Sequence, residues 1–586
     1  MTPARRLLRP ADIALVAVLI GVVLRLWHYT QDASLWLDEA MIAINVRESG
    51  FGELTGELMY NQSAPLAWLW LVRIARVLFG DGERALRLVP LLIGIAGLIV
   101  AWLVARRWLG PAGAVTLVGL YAISPSLIRY SAELKQYSAD ATLVLMMAGI
   151  ALWALERSAA VTHRRWLPVA LFWLAALVSS WLSMSAILAA PGFALVLVIA
   201  IWRRDGFAAA VRSAAWGFGW LASFGVHWVA GLAATTGEPH LKPFWTERGA
   251  LPPEHPSAGQ LLEWAAARPE ALAIEPLHVP AGVVSVLFYL ALVAGLALAL
   301  WRRPAAGWLL AAPLISALIY GAVRAVPMGS RLALWLAPIM LTLVAIAADA
   351  AVRAAVTPFP RAAAWFRPAV PAKATPVGGT TGSTAAGTGA TVDGSAPGSA
   401  ADGGPDVRVT TSPAARAGRR VPAVAGAVAV LLVIAMTGLV AAPQIAHAGR
   451  PVTETLTTDD RGGVEWISQR KRGGDLVLVT ISSAPSIVWY AKPRLLRPGH
   501  YVRASSSADC DPAKLDAAVA GYQRLLVYQG IRTEPKTPAA LLAQIRRLGT
   551  ITEEIDLGES HAWVVTLHPS PAAPDAANCM TLVTLY

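Results

Sequence analysis

Asp38 and Glu39 stand side by side in Leu35-Trp-Leu-Asp-Glu-Ala40, shortly after an apolar run at 11–28. A carboxylate held against a hydroxyl can take its proton as that hydroxyl attacks, which makes an acid here a candidate general base. A plainer alternative is a pair of solvated loop carboxylates. A second polar motif, Glu133-Leu-Lys-Gln-Tyr137, follows Arg129. Arg129, Glu133 and Tyr137 fall at i, i+4 and i+8, so a continuing helix would put them on one face, with Lys135 on another. Read plainly, Arg129–Glu133 is a surface ion pair worth under ~1 kcal/mol. Read functionally, the motif walls a substrate cavity in which Glu133 orients an acceptor or a metal and Lys135 or Arg129 meets a phosphate. The turn Arg324-Ala-Val-Pro-Met-Gly-Ser-Arg331 carries two arginines between apolar runs. A phosphate leaving group needs a fixed cation and an arginine fork suits it, although arginines at such places also snorkel to lipid headgroups. Gln62, in Asn61-Gln-Ser-Ala-Pro-Leu66, adds a further polar elbow.

Most of the rest is apolar. The 586 residues are 56% hydrophobic and 15% charged, with a mean hydropathy of +0.53, as expected for a polytopic α-helical membrane protein. The net charge of +12 is spread over short basic clusters between apolar runs. That pattern reads as topology and argues against nucleic-acid binding. Spanning segments are expected at 11–28, 84–105, 112–128, 138–156, 166–182, 184–202, 209–230, 280–301, 305–322, 331–352 and 421–442. The stretch 64–79 is short for a bilayer core of about 30 Å and contains Arg73 and Arg76. If it lies along the surface, Arg106-Arg107, Arg157 with Arg164-Arg165, Arg203-Arg204, Arg302-Arg303 and the basic tract from Arg353 to Arg420 all face the cytoplasm. If it crosses, all of them face outward. The surface reading wins on the positive-inside rule and leaves about eleven spans.

With that parity the N-terminus is cytoplasmic, on an uncleaved first span, and both carboxylate motifs open on the exterior of the plasma (inner) membrane. Residues 1–356 form the transmembrane catalytic domain, with exterior loops 29–83 and 231–279. Within the first loop, 47–63 reads as a short interfacial helix. Residues 357–420 read as a disordered cytoplasmic linker, 421–442 as the last transmembrane helix, and 443–586 as a small extracytoplasmic α/β domain. In that domain 475–481, 524–528 and 561–567 are the expected strands, with helices at 511–523 and 538–548. The two cysteines, Cys510 and Cys579, both fall there, on an oxidising side that permits a disulfide.

Leu35-Trp-Leu-Asp-Glu-Ala40, Asn61-Gln-Ser-Ala-Pro-Leu66, Phe79-Gly-Asp-Gly-Glu-Arg-Ala-Leu-Arg-Leu-Val-Pro90 and Tyr130-Ser-Ala-Glu-Leu-Lys-Gln-Tyr137 together resemble the GT-C glycosyltransferases. The likeness is to the bacterial branch similar to protein O-mannosyltransferases and lipid A aminoarabinose transferases, and it covers roughly residues 10–350. It implies transfer of a sugar from a polyprenyl-phosphate donor to a hydroxyl acceptor on the exterior face, with the family's catalytic aspartate at Asp38. The chain departs from the family at Ala64-Pro65-Leu66-Ala67, where a Pro-Pro-Leu-Tyr run is common, and at Glu133-Leu134-Lys135, where Glu-Ala-Arg is common. Its first loop also lacks the tight Asp-x-Asp pair of the metal-dependent relatives. No cofactor is therefore expected and a divalent metal is disfavoured.

The reading is an inverting glycosyltransferase. Asp38 and Glu39 are the catalytic acids, and Arg331, Arg324 and Lys135 bind the donor phosphate. Glu133, Tyr137, Arg129 and Gln62 contact substrate. The expected partners are the lipid-linked donor, a hydroxyl acceptor and membrane lipid. Two other classes compete. A lipid-linked sugar transporter or flippase would place charges near the span midplanes, and a non-catalytic scaffold would tolerate loss of the boundary acids.

Overall fold

The computed structural model describes residues 10–157, 166–233, 241–356, 459–491, 499–504, 512–530, 537–569 and 579–583. The linker expected at 357–420, the span expected at 421–442 and Cys510 lie outside these residues.

Helices dominate the first 356 residues. They are α1 (Pro10–Thr30), α2 (Leu37–Glu48), α3 (Leu66–Phe79), α4 (Glu83–Trp108), α5 (Pro111–Ile123), α6 (Pro125–Arg129), α7 (Tyr137–Arg157), α8 (Leu167–Leu182), α9 (Met184–Asp205), α10 (Phe207–Ala215) and α11 (Gly217–His227). There follow α12 (Leu241–Glu247), α13 (Ala258–Ile274), α14 (Val283–Arg302), α15 (Pro304–Ala322) and α16 (Ala337–Val356). Among the described residues, seven helical stretches are long and apolar enough to cross a membrane, and α5 and α8 are shorter apolar helices. The chain is a polytopic helical membrane protein with a small sheet domain after it. Proline shapes several starts: Pro111, Pro125 and Pro304 open helices where a missing N–H costs nothing.

Three expected elements differ. The 112–128 run is interrupted at Ser124, before Pro125, because a residue preceding proline is pushed out of the helical region. The 209–230 run is divided between α10 and α11, and a π turn at Trp228–Leu232 follows. The helix expected over 47–63 does not form. α2 ends at Glu48, and only the 3-10 turns Glu53–Thr55 and Met59–Asn61 follow. Gly50, Gly52 and Gly56 punctuate this stretch, and glycine is a poor helix former.

The chain leaves α1 and enters α4 at the same end of the bundle. The Tyr29 hydroxyl donates to the Arg84 carbonyl at 2.7 Å, and Arg84 pairs with Asp32 at 3.4 Å. α3, 14 residues long, spans only about 21 Å. At the far end, Arg107 and Arg303 share Glu156, at 2.8 and 3.3 Å, and Arg204 donates to the Leu155 carbonyl at 3.1 Å. Arg107, Arg204 and Arg303, from three of the basic clusters that the sequence groups on one side, therefore meet at one end of the bundle.

The C-terminal region comprises α17 (Asp460–Arg470), β1 (Leu476–Thr480), α18 (Ala484–Tyr490), β2 (His500–Ala504), α19 (Pro512–Val519), β3 (Arg524–Gln529), α20 (Thr537–Leu548), β4 (Gly549–Leu557), β5 (Ser560–Leu567) and β6 (Met580–Val583). They build one sheet in the order β4-β5-β3-β1-β2-β6. β1 runs parallel to both β2 and β3, and the outer pairings are antiparallel. β1 and β3 are buried almost throughout, as strands covered on both faces should be. Leu525 and Val527 face one apolar core, Leu526 and Tyr528 the other. Cys579 is disulfide-bonded.

Candidate active site

Two acids adjacent on a helix point about 100° apart, and α2 turns that angle into two environments. Glu39 is fully buried and Asp38 sits at the edge, its side chain 21% exposed. The Glu39 carboxylate accepts from Arg87 Nε at 2.8 Å and Nη2 at 2.5 Å, and from the Leu134 amide at 2.6 Å. Arg87 also donates to the carbonyls of Ala33 and Ser34. Glu39 thus ties the first loop, α4 and the second motif together, and its oxygens are occupied by protein donors. The Glu39–Leu134 bond also places both carboxylate motifs at one end of the bundle.

Asp38 stays partly exposed. Its Oδ2 accepts from Arg331 Nη2 at 2.7 Å across 293 positions of chain. Arg331 is 27% exposed on its side chain, and its guanidinium lies 4.9 Å from the centre of the Trp36 ring. A 3-10 turn, Ser330–Leu336, brings it there ahead of α16.

The second motif is not a continuation of α6. Residues 130–136 form a turn, and α7 starts at Tyr137. The Arg129–Glu133 pair nonetheless forms, at 3.1 Å. Glu133 is buried, and desolvation pushes its carboxyl above the ordinary glutamate range, with the Arg129 charge opposing. Lys135 is also buried and donates to Gln62 Oε1 at 2.8 Å. Burial lowers its ammonium below the usual lysine range, and the Asp38 charge opposes that. The Tyr137 and Tyr130 rings meet edge to face at 5.1 Å.

Asp38, Arg331, Glu133, Arg129, Lys135, Gln62 and Tyr137 therefore lie close together, with Asp38 and Arg331 at the partly exposed edge of the group. Arg324 is not shown with them: it donates to the Pro252 carbonyl and holds the 250–252 segment, whose Ala250 carbonyl accepts from the Met328 amide at 2.8 Å. Four buried polar atoms here have no hydrogen-bond partner: Trp36 Nε1, Glu133 Oε1, Gln136 Oε1 and Arg331 Nε. Leaving such a group unpaired costs roughly 1–3 kcal/mol, and atoms of the same kind recur elsewhere in the fold, among them Arg25 Nε, Trp68 Nε1 and Ser213 Oγ. Among the described residues no cluster of three or more His, Cys, Asp or Glu side chains is placed to share a metal ion.

Sequence reasoning did not pick out Arg87 or Asp140 as positioning residues. Asp140, buried in the first turn of α7, accepts from the Ser183 hydroxyl at 2.5 Å and the Ser185 amide at 3.3 Å, which anchors the start of α9. Arg87 had a legible signal, since it follows Glu83 by four residues at a helix start.

Residues 63–228 match the profile of a family described as dolichyl-phosphate-mannose-protein mannosyltransferase. The matched segment contains Arg129, Glu133, Lys135 and Tyr137 and leaves out Asp38 and Arg331. It bears out, over this part of the chain, the resemblance to polyprenyl-phosphate-dependent glycosyltransferases. Solved structures of ArnT from Cupriavidus metallidurans are 16% identical over 96% of this chain and 99% of that one. Their TM-scores are 0.46 for the apo state and 0.48 with undecaprenyl phosphate bound. The archaeal oligosaccharyltransferase AglB from Archaeoglobus fulgidus, solved with an inhibitory peptide and a dolichol-phosphate, is 12% identical over 88% of this chain and 69% of that one, at a TM-score of 0.45. No curated protein sequence matches the chain.

Proposed function

We propose that the protein is an inverting glycosyltransferase that moves a sugar from a polyprenyl-phosphate donor to a hydroxyl acceptor on the exterior face of the plasma membrane. The observation that supports this reading is the partly exposed Asp38–Arg331 pair, whose arginine keeps a buried, unpartnered Nε. The family match supplies the donor class.

In the reaction, Asp38 takes the proton of the acceptor hydroxyl as its oxygen attacks the anomeric carbon. The bond from that carbon to the phosphate oxygen breaks, and the polyprenyl phosphate departs with the electron pair. A phosphate leaves without being protonated, so what it needs is fixed positive charge. Arg331 and Lys135 are assigned to supply it. Glu133, Gln62, Arg129 and Tyr137 are assigned to substrate contact. Glu39, sealed by Arg87, is assigned to positioning the loop instead of to chemistry, and Arg324 to holding the turn that presents Arg331.

The test is transfer in proteoliposomes supplied with a panel of labelled polyprenyl-phosphate hexoses and pentoses and an envelope acceptor fraction. The wild type should release polyprenyl phosphate and form a new glycosidic bond, while Asp38→Asn, folded and inserted, should not. Retention of most turnover by that variant would refute the assignment. Movement of the donor across the bilayer without bond formation would favour a transporter instead.

A further inference from the structure

The C-terminal domain reaches the site through α18, and it holds both ends of the helix that carries Asp38. At the start of α2, the Leu35 amide donates to the Tyr490 hydroxyl at 2.6 Å, and that hydroxyl donates to Glu83 Oε1 at 2.9 Å. At its end, Arg47 donates to the carbonyls of Trp489 and Val488 at 3.2 and 3.1 Å and lies over the Trp489 ring at 4.5 Å. A cation on the last carbonyls of a helix meets the negative end of its dipole. Two further ties flank these. Arg461 pairs with Glu83 at 2.6 Å and donates to the Asp32 carbonyl at 2.8 Å, and the Asp460 amide donates to the Ser34 hydroxyl at 3.1 Å. Trp489 belongs to the same apolar core as Leu35, Ala40, Ile44, Leu86 and Leu134.

Glu83 and Arg87 stand one helical turn apart on α4. Tyr490 and Arg461 hold the first, and Glu39 holds the second. The same short stretch of α4 thus receives the C-terminal domain on one residue and the buried acid beside Asp38 on the other. Burial, with the Glu83 charge adding to it, pushes the Tyr490 hydroxyl well above its ordinary range. It therefore keeps the proton it gives to Glu83.

We propose that Tyr490 is a positioning residue for the transfer reaction: through it the C-terminal domain clamps α2 and sets where the Asp38 carboxylate stands against Arg331. This rests on the glycosyltransferase reading above. On this account the domain is a working part of the catalytic site, and its removal would disable a membrane domain that still folds.

Tyr490→Phe in the full-length protein removes the hydroxyl and keeps the ring. A misplacement of about 1 Å at a reacting group costs up to about a hundredfold in rate. The turnover number, read at a temperature where the variant is fully folded, should therefore fall about tenfold or more, while affinity for undecaprenyl phosphate in nanodiscs stays at the wild-type value. Amide exchange over 37–41 should rise in the same variant. Tyr522→Phe, on the exposed surface of the same domain, should change nothing. Arg47→Lys tests the other end of α2 in the same way and stands in if Tyr490→Phe fails to fold. Unchanged turnover, or a lowered thermal midpoint with turnover intact at permissive temperature, would overturn the clamp. If the wild type itself transferred no sugar, the functional reading would fall, and amide exchange would still report on the clamp.

Discussion

In the proposed reaction Arg331 has two duties, and they make different demands on its chemistry. One donor is taken by Asp38, while Nε is buried and unpartnered. A planar fork can hold a carboxylate with one donor and a phosphate oxygen with the others, whereas an ammonium is a single point charge. Arg331→Lys should therefore keep the Asp38 pair and lose phosphate geometry, and Arg331→Ala should lose both. We expect turnover in the alanine variant to drop by about a hundredfold to a thousandfold, the range for deleting one charge-stabilising donor, with the lysine variant between it and wild type. Steady-state kinetics on the polyprenyl-phosphate donor would check this, and equal activity of all three would remove Arg331 from the chemistry. Lys135 carries a pH signature. Its ammonium is held below the ordinary lysine range mainly by burial, so its charge is present at low pH and is lost as pH rises through that lowered value. If the departing phosphate needs this charge, the turnover profile has an alkaline limb earlier than an ordinary lysine would give. Lys135→Arg should extend the plateau upward. An alkaline limb at the same pH in both proteins would sink the role.

Among the elements, α2 is short and depends on its neighbours. Its polar inner face is fastened by the Glu39–Arg87 pair, with Glu39 fully buried and Arg87 nearly so. Breaking such a pair from one side strands a charge, at a cost of about 3–5 kcal/mol. Glu39→Gln and Arg87→Gln should each lower the thermal midpoint sharply in detergent. The double variant should recover part of the loss, because no unpaired charge is then left in the core. Additive losses would mean that the two side chains act separately. This is also where the sequence ran out. The apolar runs were legible because bilayer thickness imposes a length on each of them, and β1, β3 and β5 because alternation or burial marks each strand. The motif pair at Asp38 and Glu133 was legible because acids at span ends are costly without a purpose. The division of labour between Asp38 and Glu39 was not, since it depends on which way a 12-residue helix is rolled against α4. The break after Arg129 was also hidden: the i, i+4 pair forms although the helix stops, so spacing alone pointed to a longer helix. Tyr490 lies more than 400 residues from its partners Leu35 and Glu83, and no local pattern announces such a contact.

For the whole molecule, access to the lipid-linked donor depends on which way the bundle faces. Arg107, Arg303 and Arg204 gather at one end around Glu156 and the Leu155 carbonyl. Asp38, Arg331 and the C-terminal domain gather at the other. By the positive-inside rule the arginine end is expected in the cytoplasm, and the proposed reaction then has the donor and the C-terminal domain on the outside. Glu57 and Glu554 are exposed at the site end and on the sheet domain, and Arg302 is exposed at the other end. Single Glu57→Cys, Glu554→Cys and Arg302→Cys variants, treated in intact cells with a membrane-impermeant maleimide, should separate cleanly. The first two should label at once, and the third only after permeabilisation. The fold can accommodate the whole pattern inverted, but a donor used outside could not then reach Asp38. Label on Glu57→Cys and Glu554→Cys from opposite sides would contradict the docking of α18 on α2 itself, and the shared pocket would go with it.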